Sequence, residues 1–246
     1  MKNLTGPIIF LVLFFLARPV DAQTRVVDAN EPSYDLNEIE GRIHFIQNAL
    51  QEESKRAKTW LYSWHGAFAA FTVGQGIAIP FVSEGDRTDF YYGIGGDFLG
   101  HLTLLFFPPA TIKNSKNLDL LIKETPNGLQ SSAVLDKAEF YFRQSAENEE
   151  KNRNWVAHLG NALVNVGLGL PLGIAHDHWL SSGIFIASGI AVGEIFILTQ
   201  PNRLPKQWQR YKKRQFNMVR KESYQNWNII PLLSPEVYGV GLGVRF

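Results

Sequence analysis

The sequence predicts an all-α membrane protein: four apolar helices of transmembrane type arranged as two hairpins, each preceded by an amphipathic helix, with a short C-terminal β segment. Three observations carry this expectation. The chain opens like an exported protein, it holds four long glycine-rich stretches nearly free of charge, and a charged segment of helical period precedes each pair of them.

Residues 1–22 read as a signal peptide, with Lys2 at the start, an apolar run from about Pro7 to Ala17, and small residues Val20 and Ala22 placed for cleavage after Ala22. The run is shorter than the ~20 residues a bilayer-spanning helix needs, which favours a cleaved leader over a retained anchor. The mature chain then begins at Gln23. Lys and Arg number 24 against 23 Asp and Glu, a balance that excludes the concentrated positive surface of a nucleic-acid binder. No cysteine is present, so disulfides, thiolate metal sites and a lipidated cysteine are excluded.

Residues 23–60 hold the first amphipathic helix, in which Leu36, Ile39, Ile43, Ile46 and Leu50 recur at helical spacing before a charged end at Glu52, Glu53, Lys55, Arg56 and Lys58. Residues 61–110 form the first apolar hairpin. Leu61 to Val82 carries no formal charge, Glu84 to Asp89 makes a link, and Phe90 to Pro109 is broken only by Asp97 and His101 before Pro108 and Pro109 stop it.

Residues 111–154 are expected to be a polar loop, with Pro126, Asn127 and Gly128 as its turn signature, followed by a second amphipathic helix bearing Leu135, Ala138 and Phe142. Residues 155–200 form the second apolar hairpin, Trp155 to Ala175 and His178 to Gln200. The halves echo one another: His65 precedes Gly74 and Gly76 as His158 precedes Gly167 and Gly169, and Ala49, Glu52, Glu53 and Arg56 match Ala146, Glu149, Glu150 and Arg153. An internal duplication of one unit follows as an expectation.

Residues 201–246 begin with a basic run (Arg203, Lys206, Arg210, Lys212, Lys213, Arg214, Arg220, Lys221), either a solvated helix face or a surface for anionic lipid head groups. The closing Tyr238, Val240, Leu242, Val244 and Phe246 alternate with glycines and Arg245, as in a strand. This short stretch resembles the C-terminal signal of bacterial outer-membrane proteins.

Alternation also occurs inside the apolar stretches, for example at Val164, Val166, Leu168, Leu170 and Leu172, which leaves an outer-membrane β-barrel as an alternative. Helices are preferred because each stretch is about twice a barrel strand's length and lacks a polar face. Gly93, Gly96 and Gly100, then Ser182, Gly189 and Gly193, supply the small residues that let membrane helices approach closely. Basic charge gathers at one end of both hairpins, which the positive-inside rule would place in the cytoplasm, whereas a cleaved leader places the mature N-terminus outside it. An outer-membrane address relieves that conflict and is preferred over an inner one.

Ionisable groups inside apolar stretches tend to mark sites or point to partners. His65, Asp97, His101, His158 and Glu194 are therefore the candidate polar cluster, able to bind a metal or relay protons; the same groups, with Gln75, Asn161 and Asn165, also suit plain interhelical hydrogen bonding. His176, Asp177 and His178 at a hairpin tip are weaker candidates for a metal, since Asp also favours turns. No HExxH pair, phosphate loop or nucleophile elbow occurs, so no cofactor and no catalytic residue is assigned. Trp60, Trp64, Trp155 and Trp179 fall where an interfacial belt or end-of-helix packing would use them. The expected function is that of an exported envelope membrane protein with a structural, assembly or lipid-contacting role, the lipid bilayer being its partner. The alternative is a small transporter or intramembrane enzyme using the polar cluster.

Overall fold

The computed structural model describes residues 35–214, 226–234 and 237–245. Among the described residues seven α-helices run as α1 (Leu36–Ala78), α2 (Arg87–Phe106), α3 (Ala110–Glu124), α4 (Ser132–Lys151), α5 (Trp155–His176), α6 (Trp179–Leu198) and α7 (Leu204–Lys212). An antiparallel pair, β1 (Asn226–Ser234) and β2 (Val237–Arg245), follows, with Asn226 opposite Arg245 and Ser234 opposite Val237. The expected terminal strand is thus one arm of a hairpin. The leader and Phe246 lie outside the described residues.

All four apolar stretches are helical, so the barrel alternative does not describe them. Among the described residues only two helices, α5 and α6, are long and apolar enough to cross a membrane. The expected four shrink to two because α2 carries Arg87, Asp89, Asp97 and His101, and the second half of α1 is diluted by Trp64, His65 and Gln75.

Two further expectations change. In the first half the amphipathic and apolar segments are one helix, α1, whose 43 residues extend ~65 Å at 1.5 Å per residue. No proline interrupts it near Trp60, and the Thr59 hydroxyl donates back to the Lys55 carbonyl at 3.1 Å and caps no new helix. In the second half the same passage is broken at residues 152–154, where the Asn154 side chain accepts from Ala157 N at 3.1 Å and starts α5 afresh. The expected loop after residue 110 is mostly helix. Pro109 precedes α3, whose Thr111, Asn114, Ser115 and Leu118 share one buried face, and the turn is confined to the segment around Asn127, which adopts φ 51°. Gly128 is required there, since a Cβ would collide with the Ile122 carbonyl.

The helices form two layers joined through α1. The first half of α1 packs with α3, α4 and α7 around Ile39, Ile43, Ile46, Leu50, Leu118, Leu135, Phe142 and Leu204. Phe45, Phe142, Trp208 and Tyr211 interlock within this polar-coated layer, with ring centroids 5.4–6.2 Å apart. Its outer clasp is Arg42, which donates to the Tyr211 hydroxyl at 2.8 Å and pairs with Glu139, while that hydroxyl donates to Glu139. The second half of α1 packs with α2 and, through Trp60, Trp64 and Phe68 on Phe196, with α6; α2 packs on α5, and together they make an apolar layer with little interior. Among the described residues, apart from Leu36, Leu120 and Phe140, every large exposed hydrophobic falls within positions 62–107 or 155–198.

Candidate functional site

The expected polar cluster divides into separate rungs. The His65 and His101 Nδ1 atoms are 3.0 Å apart between α1 and α2, so one ring donates and the other accepts. Asp97, one turn away on α2, instead accepts from Gln75 Nε2 at 2.7 Å. In the second hairpin His158 Nδ1 lies 2.5 Å from Glu194 Oε2, and Asn161 Nδ2 donates to Glu194 Oε1 and to the Ile190 carbonyl, each at 3.0 Å. Asn165 Nδ2 donates to Asn161 Oδ1 at 2.8 Å and extends this rung toward the hairpin tip. Gly189 and Gly193 make room for both amides, since a Cβ at either would collide with an Asn oxygen.

Each rung bridges the two arms of its own hairpin. Among the described residues no group of three or more His, Asp or Glu is placed to hold a metal ion. That applies equally to the tip residues. Asp177 turns the chain with φ 59°, the His176 ring meets Tyr92 edge-on at 5.8 Å, and His178 Nδ1 reaches Asp89 Oδ1 at 2.7 Å. The last bond ties the tips of the two hairpins together. At their other end Trp60 and Trp64 both donate to Thr199 Oγ1 at 3.2 Å and pack on Phe196, whereas Trp155 and Trp179 are exposed.

One charged constellation escaped the sequence reading. Glu53 on α1 and Glu149 on α4 are 1% and 6% exposed where the two layers meet. Glu53 Oε1 accepts from Arg203 N at 3.2 Å, and Glu149 Oε2 accepts from Leu204 N at 3.0 Å, so both carboxylates hold the first turn of α7. Glu149 Oε1 also accepts from Thr111 Oγ1 at 3.2 Å at the start of α3. Burial raises the Glu53 carboxyl above its usual range, and burial followed by the Glu53 charge pushes Glu149 up to about 8. Tyr211 is likewise raised, by burial and by Glu139. The signal was present: Glu53 continues the stripe Ile39, Ile43, Ile46, Leu50, and Glu149 continues Leu135, Ala138, Phe142.

No family model, curated protein or solved structure matches this chain. Function therefore rests on what these groups do where they stand. Within the hairpins they are hydrogen-bonded in pairs, and at the layer junction they fasten helix starts. Neither arrangement presents a nucleophile beside a base.

Proposed function

We propose that this protein is a membrane-inserted, non-catalytic component of a bacterial envelope, with its apolar layer in lipid and its polar layer seated on the bilayer surface. One observation carries the reading: the most apolar helices, α5 and α6, are almost unburied, with Gly169, Leu172 and Gly173 buried on the one and Ser182 and Ile197 on the other. A water-soluble chain would not expose Leu180 at 80%, Ile174 at 67% and Ile184 at 61% side by side with so many others. The paired polar groups fit this setting, because a hydrogen bond across two helices spares each group an unpartnered place in hydrocarbon.

Export of a mature chain beginning at Gln23, and an outer rather than inner membrane, are proposed with it. The leader, the distribution of basic residues and the terminal strand support that address. The basic residues of α7 are proposed to face anionic head groups.

We further propose that the two halves are a duplicated unit whose repeats enter lipid from the same side. His65 and His101 are 36 positions apart, as are His158 and Glu194, and the second pair lies 93 positions after the first. Pro108 and Pro201 keep the same offset, as do the buried residues Leu104 and Ile197, and Leu118 and Tyr211. In the amphipathic segments buried positions match at 96, for Ile39 and Leu135, Ile46 and Phe142, Glu53 and Glu149, one position away from the pairing of Glu53 with Glu150 that the sequence echo suggests.

Separation of the two membranes, flotation with vesicles after an alkaline wash, and N-terminal sequencing test the proposal together. Alkali-resistant flotation in the outer-membrane fraction, with Gln23 first, is expected. Release of the chain into the wash overturns the insertion.

A further inference from the structure

The first half of the molecule contains a groove that the second half fills. Between α1 and α3 a cavity of about 400 Å³ is lined by Ser54, Lys58, Ser115, Lys116, Asp119 and Lys123. Ser54 and Ser115 are buried and form its floor, while the three lysines are exposed around it. Among the described residues no carboxylate forms an ion pair with Lys58, Lys116 or Lys123. The one acid present, Asp119, accepts from Gln47 and Gln51 Nε2 at 2.8 Å each, so its charge is turned toward α1. With the offsets given above, Ser115 corresponds to Trp208, whose indole packs on Phe142 and Tyr211 at 5.4 and 5.5 Å and fills that place.

The groove stands where α1 turns apolar, Lys58 being three positions before Leu61. Because α1 is unbroken, its face continues from Lys58 through His65, Ala69 and Thr72 at helical spacing into a second cavity, about 510 Å³, between α1 and α2. Its walls are apolar, with Val73, Tyr91 and Phe98 around Gly95. From Lys58 to Ala69 the helix rises ~16 Å, which is about half the ~30 Å thickness of a hydrocarbon core. A basic pocket thus opens beside lipid head groups, and an apolar trough on the same helix reaches the depth of one leaflet.

We propose that this half binds one anionic phospholipid, with its phosphate held by Lys58, Lys116 and Lys123 and one acyl chain lying between α1 and α2. The proposal rests on the membrane-inserted reading and names a lipid class and a site within it. In the second half Trp208 stands in place of the serine floor.

The test uses the full chain in phosphatidylcholine vesicles with and without phosphatidylglycerol, scoring flotation and, after gentle extraction, lipid retained per chain by native mass spectrometry. Retention of one phosphatidylglycerol, preferred by about tenfold or more over phosphatidylcholine, is expected. K58Q/K116Q/K123Q loses the preference and still floats, and K55Q/K137Q/K151Q, an equal charge change on other exposed lysines, keeps it. G95F fills the apolar trough from a position where a Cβ meets nothing, and lowers retention of the lipid. Inorganic phosphate at millimolar concentration does not displace the lipid. Displacement by phosphate together with an unaffected G95F assigns the pocket to a free anion and overturns the proposal. So does flotation without a phosphatidylglycerol preference, which leaves membrane insertion standing. Failure of the wild type to float at all overturns both.

Discussion

The two layers share one helix and obey opposite rules of burial. Where α1 crosses the polar layer, Ile39, Ile43, Ile46 and Leu50 are buried while Glu38, Glu52 and Lys55 face outward. Near the other end of the same helix the pattern has turned over, with Ile77 63% exposed and the polar Gln75 bonded inward to Asp97. Water explains the first arrangement, since apolar burial drives it. The proposed lipid surroundings account for the second, since in an apolar medium polar groups must find partners and apolar ones need none.

The contrast is broken or sharpened most strongly at Phe142, which is fully buried between α4, α1 and α7. Phe142→Ala is expected to cost ~3–5 kcal/mol of stability by leaving a cavity, read from chemical unfolding of the detergent-solubilised chain. In the apolar layer Leu180→Ala, at an 80% exposed position, is expected to change the same measurement by less than about 0.5 kcal/mol.

A charge sharpens the comparison next. Ile184→Lys is harmless on a water-exposed face, but in the second turn of α6, if that helix faces lipid as proposed, it costs up to ~2.5–3.5 kcal/mol of insertion. Flotation of the variant with vesicles is expected to fall sharply, while a lysine at Phe140, exposed in the polar layer, leaves flotation unchanged.

The junction between the layers gives a pH signature. Glu149 is pushed up to about 8 in the folded chain, against an ordinary 4.5 when unfolded. The folded state therefore retains a proton that the unfolded state has released, and stability is lost as pH rises from about 4.5 through about 8. Glu149→Gln is expected to flatten that slope in unfolding measured across the window. An unchanged slope would show that this carboxyl does not govern the docking of α7.

The smallest effect belongs to the rungs. Asn161→Ala removes the amide that bonds Glu194 and the Ile190 carbonyl, and is expected to cost ~0.6–2 kcal/mol, the range for hydrogen bonds between membrane helices. His65→Ala should act on a similar scale, by the same unfolding measurement and without loss of a separable activity.

Periodicity and charge made the two-layer plan legible in the sequence, because Ile39, Ile43, Ile46 and Leu50 announce a helix and uncharged runs announce its apolar sequel. The continuity of α1 was not legible, since it depends on the absence of a cap near Trp60, whereas Asn154 provides one at the corresponding place in the second half. Helix α3 was hidden because its buried face is made by Thr111, Asn114 and Ser115, polar residues that read as loop until α1 and α4 cover them. At the candidate site the structure divides the residues that the sequence grouped. Heights along helices predicted one cluster, while rotation about each helix axis, which height does not contain, separates it into His65 with His101, Asp97 with Gln75, and His158 with Glu194. Glu53 and Glu149 lay on their apolar stripes all along and were read as surface charge because of the charged neighbours around them.

The natural absence of cysteine allows the central claim to be tested by placing one label at a time. Spin labels at Ile184→Cys and Phe140→Cys, with the chain reconstituted in vesicles, report collision with oxygen, which concentrates in lipid, and with a water-soluble nickel chelate. The account predicts that the label at 184 meets oxygen and is shielded from nickel, and that the label at 140 shows the reverse. Equal access of nickel to both positions would contradict it.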